Sequence, residues 1–151
     1  MSKIFLIVLL IFCDQVSKLA VLKRLHQNES IAVIANFFHI TLVYNTGSAF
    51  GAFRDHNWLL SYIAVFAIIL ILYMLVRRPR FSSDIYMRLW QWALLFILCG
   101  ATGNLIDRIR LGYVVDFLDL RFWPVFNLAD SFITCGVFVL LFLLFNKKAI
   151  E

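Results

Sequence analysis

Four apolar segments of nearly membrane-spanning length restrict the fold of this chain more than any other feature. They cover residues 4–22, 58–76, 89–106 and 129–145. An α-helix rises about 1.5 Å per residue and needs about 20 residues to cross roughly 30 Å of hydrocarbon, so each segment is close to the required length. We therefore predict an all-α membrane protein with four transmembrane helices.

Composition argues against a soluble fold and against a nucleic-acid partner. Of the 151 residues, 63% are hydrophobic and only 15% are charged, which is more apolar side chain than one soluble core of this size encloses. Because four spans use most of the length, residues 1–151 are predicted to form a single membrane domain. The formal net charge of +5 comes mostly from Lys and Arg at the ends of apolar runs. Such charges mark membrane boundaries, and no nucleic-acid partner is expected.

The distribution of basic residues predicts the orientation. One side of the predicted membrane carries seven: Lys3, Arg77, Arg78, Arg80, Arg88, Lys147 and Lys148. The other side carries six: Lys23, Arg24, Arg54, Arg108, Arg110 and Arg121. The four arginines of the first set flank a short loop, and its three lysines lie near the two ends of the sequence. A short, strongly basic loop has the clearest orienting effect, so both termini and residues 77–88 are predicted to be cytoplasmic.

The two extracytoplasmic connections differ in composition. Residues 31–44 are rich in β-branched and aromatic types and run into a turn-like Asn-Thr-Gly sequence, which predicts a small strand-rich lobe on the outer face. Residues 109–127 contain one Gly and one Pro but are otherwise strongly apolar. We expect this second connection to lie against the membrane surface.

The cysteines and histidines show no pattern of a metal or redox site. Cys13, Cys99 and Cys135 lie far apart within apolar runs, and we interpret them as small buried hydrophobic residues. The histidines fall in connecting segments: His26, His39 and His56. They lack the spacing of zinc ligands, so no metal site is expected.

Asp14 and Lys18 are ionisable residues within the first apolar segment. A charged group inside the membrane costs about 2.5 to 3.5 kcal/mol on insertion scales, so each needs a partner or a purpose. Their spacing of four places them on one helical face, with the acid first, as in a stabilising ion pair. One interpretation is an ion pair for helix packing, with Lys18 extending outward to the interface. The other is a direct role at a functional site.

A second polar group follows the small-residue run at 100–103. Gly and Ala there would let another helix approach closely. Asn104 and Arg108 share a helical face, and Asp107 can join them near the outer boundary. Anchoring at the membrane edge remains an alternative role for Arg108.

Two further acids, Asp116 and Asp130, flank the start of the last segment. Large apolar neighbours surround Asp116 and would raise its pKa by desolvation. Asn127 and Asp130 have the spacing of a capping box, and a helix N-terminus favours negative charge. One acid biased toward protonation beside one biased toward ionisation is the pattern of aspartic proteases, although capping alone could also explain Asp130.

Five ordered motifs closely resemble those of bacterial lipoprotein signal peptidases, also called signal peptidase II. They are DQVSK at 14–18, NTGSAFG at 45–51, GATGNLIDR at 100–108, VVDF at 114–117 and FNLAD at 126–130. With the four spans, the resemblance covers almost the whole chain. The departures are small: Ser48 stands where the family often has Ala, and Cys99 where a further Gly is frequent.

The resemblance implies the chemistry. Asp116 and Asp130 would form a catalytic dyad that activates a water to cut the peptide bond before a diacylglyceryl-modified Cys of a prolipoprotein, without any cofactor. The residues that would surround the substrate or brace the dyad are Asp14, Lys18, Asn45, Gly47, Asn104, Asp107, Arg108 and Asn127. Globomycin-type inhibitors would occupy the same cleft, and membrane lipid would hold the diacylglyceryl chains. The site would lie near the outer face of the bacterial inner membrane.

Two other functions fit the composition. In a small transporter or channel subunit, the polar residues of the spans would line an ion path: Asp14, Lys18, Asn104 and Asp130. The absence of an inverted repeat weakens that interpretation. In a non-catalytic assembly factor, neither Asp116 nor Asp130 would be needed for chemistry.

Overall fold

The computed structural model describes residues 3–47, 56–77 and 79–146. Several sequence-based predictions concern residues outside those ranges. They are residues 48–51 of the NTGSAFG motif and the basic residues Arg54, Arg78, Lys147 and Lys148.

Four helices are long and apolar enough to cross a membrane, which confirms the predicted fold class. They are α1 (Lys3–Leu22), α2 (Asn57–Val76), α3 (Asp84–Leu111) and α4 (Leu128–Phe145). Helix α3 is longer than predicted from its apolar run, because the polar residues at both ends continue the helix. It ends at Gly112, whose φ of +82° is a left-handed conformation that glycine adopts without strain.

Helix α3 is the centre of the bundle. Over half of its apolar stretch is buried, 56%, against 6% for α2, which shows that α2 stands at the periphery. Helix α3 packs most extensively against α4. At Gly100 an added Cβ would lie only 2.2 Å from the carbonyl oxygen of Ala129, so the close approach predicted for the small-residue run is confirmed.

A small antiparallel sheet caps one end of the bundle. Its strands lie in the order β1 (Ser30–Ile34), β2 (Phe38–Asn45) and β3 (Val114–Asp119). The first two form the predicted strand-rich lobe. The third was not predicted: residues 114–119 pair with β2 and are mostly buried within the sheet, whereas Phe122 and Trp123 remain exposed.

Apolar packing attaches the sheet to the end of α1. Leu25, Leu42 and Val115 form a buried cluster beneath β2 and β3. Tyr44 and Tyr113 stack beside it with ring centroids 4.3 Å apart. This packing fixes the ends of β2 and β3 relative to the helices.

Some predictions for cysteines and histidines are wrong. Cys99 is buried as expected, but Cys13 and Cys135 are exposed, and Cys135 borders the open space between α2, α3 and α4. His39 belongs to β2 rather than to a loop. Its ring Nδ1 lies 3.2 Å from the Ser30 hydroxyl.

Candidate active site

Asp14 and Lys18 form an ion pair in the interior of the bundle. The Lys18 ammonium lies 2.9 Å from Asp14 Oδ2, and the side chains are 2% and 1% exposed for Lys18 and Asp14. The alternative in which Lys18 extends outward is therefore wrong. Asp14 Oδ1 also accepts a hydrogen bond of 2.9 Å from the Ala129 backbone N–H, in the first turn of α4.

A second acid shares the same ammonium. Lys18 Nζ lies 2.9 Å from Asp107 Oδ2, which also accepts the backbone N–H of Val115 at 3.2 Å. Gln15 Nε2 donates to Asp14 Oδ2 and to Asp107 Oδ1, both at 3.1 Å. We call Asp14, Lys18 and Asp107 the closed cluster. It connects α1, α3, β3 and α4 near the middle of the fold.

Asn104 connects the closed cluster to Asp130. Its Oδ1 accepts a hydrogen bond of 3.0 Å from Lys18 Nζ. Its Nδ2 donates a hydrogen bond of 2.8 Å to Asp130 Oδ1. Asn104 is 6% exposed, so these contacts are made away from bulk water.

Asn127 caps α4 and contacts both candidate acids. Its Oδ1 accepts the Asp130 backbone N–H at 2.9 Å, and its own backbone N–H donates to Asp130 Oδ2 at 3.2 Å, which completes a capping box. Asn127 Nδ2 donates to Asp116 Oδ1 at 2.7 Å. The predicted cap is confirmed, and it leaves an Asn127 N–H group for the other acid.

Asp116 lies in β3 and is 2% exposed. Its Oδ2 accepts a hydrogen bond of 2.8 Å from Asn45 Nδ2, and Asn45 Oδ1 in turn accepts the backbone N–H of Gly47 at 3.0 Å. Burial and the nearby Asp130 carboxylate raise the pKa of Asp116 to about 7, against the opposing effect of its amide hydrogen bonds and the Lys18 charge. A carboxyl with this pKa can hold or release a proton near neutral pH.

Asp116 and Asp130 line one cleft of about 1180 Å³. Its polar end is formed by β2, β3 and the start of α4. Its apolar walls come from α2, α3 and α4, including Ile63, Ala67 and Ile133. The cleft therefore presents two carboxyl groups beside a long apolar surface.

Arg108 contributes a cation to the polar end of this cleft. Its Nη2 lies 3.5 Å from the Gly47 carbonyl oxygen, a long contact, and its buried Nε has no partner among the described residues. Asn57 Nδ2 donates to the Arg108 carbonyl oxygen at 3.3 Å and so contacts the end of α3. The guanidinium thus retains a donor for a group that enters the cleft.

Every residue predicted for the site from the sequence lies in the closed cluster, in the cleft or between them. Gln15 was not assigned a role, although it belongs to the DQVSK motif and its amide joins both acids of the closed cluster. Its spacing of one from Asp14 gave no helical-face signal. Among the described residues, no group of three or more acid, His or Cys side chains is arranged to hold a metal ion.

Comparison with known proteins gives a consistent result over nearly the whole chain. Residues 6–146 match the family model described as signal peptidase (SPase) II. The lipoprotein signal peptidase of Caldanaerobacter subterraneus subsp. tengcongensis is 42% identical over 149 residues, which cover 98% of this chain and 99% of that protein. That of Moorella thermoacetica is 44% identical over 144 residues, 93% of this chain and 90% of the relative.

A solved structure is similar as well. It is titled a bacterial membrane enzyme structure determined by the in meso method at 2.3 Å resolution. The TM-score is 0.85 at 32% sequence identity, with 99% of this chain and 93% of that one covered.

Proposed function

The chain belongs to the signal peptidase II family, and from that premise we propose that it is an aspartic protease that removes signal peptides from diacylglyceryl-modified prolipoproteins. The family makes it a protease, and its four spans make it a multi-pass membrane protein. The observation that carries the aspartic mechanism is the shared cleft, in which Asp116 and Asp130 each accept a hydrogen bond from an asparagine amide.

In this mechanism the two carboxyls share one proton and act on a water that lies between them and the scissile carbonyl. The ionised carboxyl takes a proton from the water as the water oxygen attacks the carbonyl carbon. The protonated carboxyl donates its proton to the carbonyl oxygen, which gives a tetrahedral diol. As the C–N bond breaks, the first carboxyl gives the proton that it took from water to the leaving amine, and one diol hydroxyl returns a proton to the second carboxyl. The pKa of about 7 for Asp116 suits such proton exchange near neutral pH.

The remaining residues of the cleft would position the substrate. The buried Nε of Arg108 has no partner in the part of the chain that the structure describes and can donate to a substrate carbonyl. Asn45 and Gly47 lie at the rim, where they hold Asp116 from the side of β2. The diacylglyceryl chains would remain in lipid beside the helices, because moving them into water costs about 0.8 kcal/mol per CH₂. Globomycin-type inhibitors would occupy this cleft.

We further propose that the protein lies in the bacterial inner membrane with the cleft near its outer face and both termini in the cytoplasm. Asn104 and Arg108, which reach the cleft, are near the C-terminal end of α3, whereas the basic residues Arg77, Arg80 and Arg88 are near its other end. A basic cytoplasmic loop therefore supports an extracytoplasmic cleft.

Single cysteines in a Cys-free background test this orientation. Ser82 is exposed near the start of α3, and Gln27 is exposed in the connection between α1 and β1. Gln27 is a better site than Asn28, because Asn28 has a φ of 66°, where a cysteine is strained. A membrane-impermeant thiol reagent added outside intact spheroplasts should label Gln27→Cys only. Labelling of Ser82→Cys from outside would contradict the proposed topology.

Cleavage of a lipid-modified precursor tests the function directly. Membranes that contain the protein should process a diacylglyceryl-modified prolipoprotein, and globomycin should stop the reaction. The same precursor without the lipid serves as the control for substrate class and should remain uncut. Ion transport by the purified protein in liposomes, without precursor cleavage, would instead favour the transporter alternative.

A further inference from the structure

The Lys18 ammonium uses its full hydrogen-bonding capacity inside the protein. An ammonium has three donors and no acceptor. In the structure these donors face Asp14 Oδ2 at 2.9 Å, Asp107 Oδ2 at 2.9 Å and Asn104 Oδ1 at 3.0 Å. Two contacts are explained by charge pairing. The third is to a neutral amide that also contacts Asp130.

That third contact dictates which way the Asn104 amide points. Since Lys18 can only donate, the amide must turn its carbonyl oxygen toward Lys18. The same oxygen accepts a hydrogen bond of 3.1 Å from Asn127 Nδ2, which demands the same orientation. The Asn104 NH₂ group is then directed at Asp130 Oδ1, 2.8 Å away. With the opposite orientation, a carbonyl oxygen would face the carboxylate and repel it.

The amide that serves Asp116 is oriented in a different manner. Asn127 Oδ1 accepts the backbone N–H of Asp130 at 2.9 Å, so the helix cap fixes that amide and leaves its NH₂ for Asp116. Each acid of the dyad thus accepts from an asparagine whose other end contacts a group that only donates. For Asp116 this group is a backbone N–H, and for Asp130 it is a buried cation.

We propose that Lys18 is a positioning residue of the peptidase reaction, which orients Asn104 toward Asp130 and places its positive charge where it favours the ionised form of the dyad. The inference rests on the proposed aspartic function. Within residues 3–47, 56–77 and 79–146, the charged groups around the dyad are Asp14 and Lys18 from α1, and Asp107 and Arg108 from α3. Of the two cations, only Lys18 is linked to Asp130 through one amide. In agreement, the Lys18 charge opposes the rise in the pKa of Asp116 caused by burial and by Asp130.

Lys18→Met tests the proposal, because methionine fills a similar volume without a charge or donor. We expect the acid limb of the pH profile of kcat/KM to move up by about one pH unit, since a nearby positive charge is lost. The plateau should fall by up to about tenfold, because Asn104 loses the ammonium that holds its carbonyl oxygen and keeps only the Asn127 amide to fix its orientation. Lys18→Arg, which retains the charge, should keep the acid limb near its wild-type position. Lys23→Met, the same change at an exposed position near the end of α1, is the matched control and should alter neither quantity.

A double-mutant cycle separates positioning from general loss of structure. If Lys18 acts through Asn104, Lys18→Met should cost much less plateau activity in an Asn104→Ala background than in the wild type. Lys18→Met leaves two buried carboxylates with fewer partners and can fail to fold. In that event the charge-balanced Lys18→Met/Asp14→Asn variant replaces it, compared with Asp14→Asn alone, and the same shift of the acid limb is expected.

The possible outcomes distinguish this inference from the proposed function. A wild-type protein that does not cleave the lipid-modified precursor would contradict the function itself. A wild-type protein that cleaves, together with a folded Lys18→Met variant whose acid limb stays at its wild-type pH, would overturn the effect of the Lys18 charge on the dyad. Additive losses in the cycle with Asn104 would overturn the orientation of Asn104 by Lys18. Either result would leave the assignment of the dyad intact.

Discussion

The closed cluster and the proposed catalytic dyad are neighbouring groups of acids with opposite electrostatic arrangements. Asp14 and Asp107 share the Lys18 ammonium at 2.9 Å each and accept further N–H donors. Asp116 and Asp130 accept amide and backbone N–H groups, and neither forms an ion pair with any of the described residues. The closed cluster and Asp116 are buried and Asp130 is half-buried, but only the two acids of the dyad line the large cleft.

Under the proposed mechanism, one small bundle uses carboxyl groups for two purposes. A buried acid that shares a cation and accepts several donors has its polar atoms satisfied, and removal of a partner costs stability. A buried acid without a cation has a perturbed pKa and can exchange a proton. Lys18 belongs to the first group but touches the second through Asn104. We therefore expect changes in the dyad to affect chemistry first and changes in the closed cluster to affect stability first.

The largest expected effect is on catalysis, from Asp116→Asn or Asp130→Asn. Each change preserves side-chain shape but removes proton transfer, so cleavage of the lipid-modified precursor should fall by about 10²- to 10⁴-fold. Because the two carboxyls act as a unit, the double variant should be little slower than either single variant. The measurement is the initial rate of precursor cleavage in detergent or in liposomes.

Asp84→Asn is the matched control for the dyad variants. Asp84 is exposed at the start of α3, at the end of the bundle away from the cleft, and its change should leave the rate unaltered. A folded Asp116→Asn or Asp130→Asn protein with near-normal cleavage would exclude that residue from the chemistry.

The next effect concerns the closed cluster, and Asp14→Asn should reduce stability more than chemistry. Asp14 accepts Lys18 on one oxygen and the Ala129 N–H on the other, whereas an asparagine has only one acceptor oxygen. Lys18 keeps Asp107 as an ion-pair partner in this variant, so the cost is that of a lost charge-assisted hydrogen bond, about 1 to 3 kcal/mol, and the Tm in detergent should fall. Below that Tm, the cleavage rate should exceed that of either dyad variant. An equally deep loss of rate in properly folded protein would place Asp14 in the chemistry.

Much of this arrangement was predictable because it rests on local patterns. Apolar length predicts the four spans, and the spacing of Asn127 and Asp130 predicts the capping box that the structure contains. The spacing of Asp14 and Lys18 likewise predicts their ion pair. In each case the signal lies within a few residues or one continuous run, where helical geometry determines which side chains meet.

The remainder depends on contacts between distant segments. β3 is short and strongly apolar, so its composition alone did not distinguish a strand from a surface segment. Its pairing with β2 requires residues about 70 positions apart in the sequence to meet, as Val43 and Asp116 do. The inward position of Lys18 depends on Asp107, 89 positions away, and no local pattern indicates that this acid shares its ammonium.

A smaller effect separates the two acid groups by the pH dependence of stability. The pKa of Asp116 is about 7 in the folded protein, above its ordinary value of 3.8, so the folded state retains a proton that the unfolded state releases. This group therefore costs stability as the pH rises from about 4 to about 7. Asp116→Asn cannot lose a proton, so its Tm relative to wild type should increase between about pH 5 and about pH 8. A constant difference in Tm would mean that Asp116 is not held protonated.

No loss of activity is expected when the cysteines are replaced or when a chelator is added. This result would exclude a catalytic thiol and a required metal ion, as the proposed dyad mechanism demands. Cys13 and Cys135 are exposed, and the Cys99 thiol makes a long contact of 3.9 Å with the Ile7 carbonyl oxygen. A variant with Ala at all three positions should cleave the lipid-modified precursor at the wild-type rate, with a small fall in Tm from the cavity at Cys99. EDTA should leave the rate unchanged, because the proposed proton transfers involve only carboxyl groups and water.

Cys135 is the informative position, since its side chain also lines the cleft. If Cys135→Ala alone retains its fold but loses cleavage, the Cys135 thiol contributes to catalysis. The assignment of the chemistry to the dyad alone, and of stability to the closed cluster, would then be wrong.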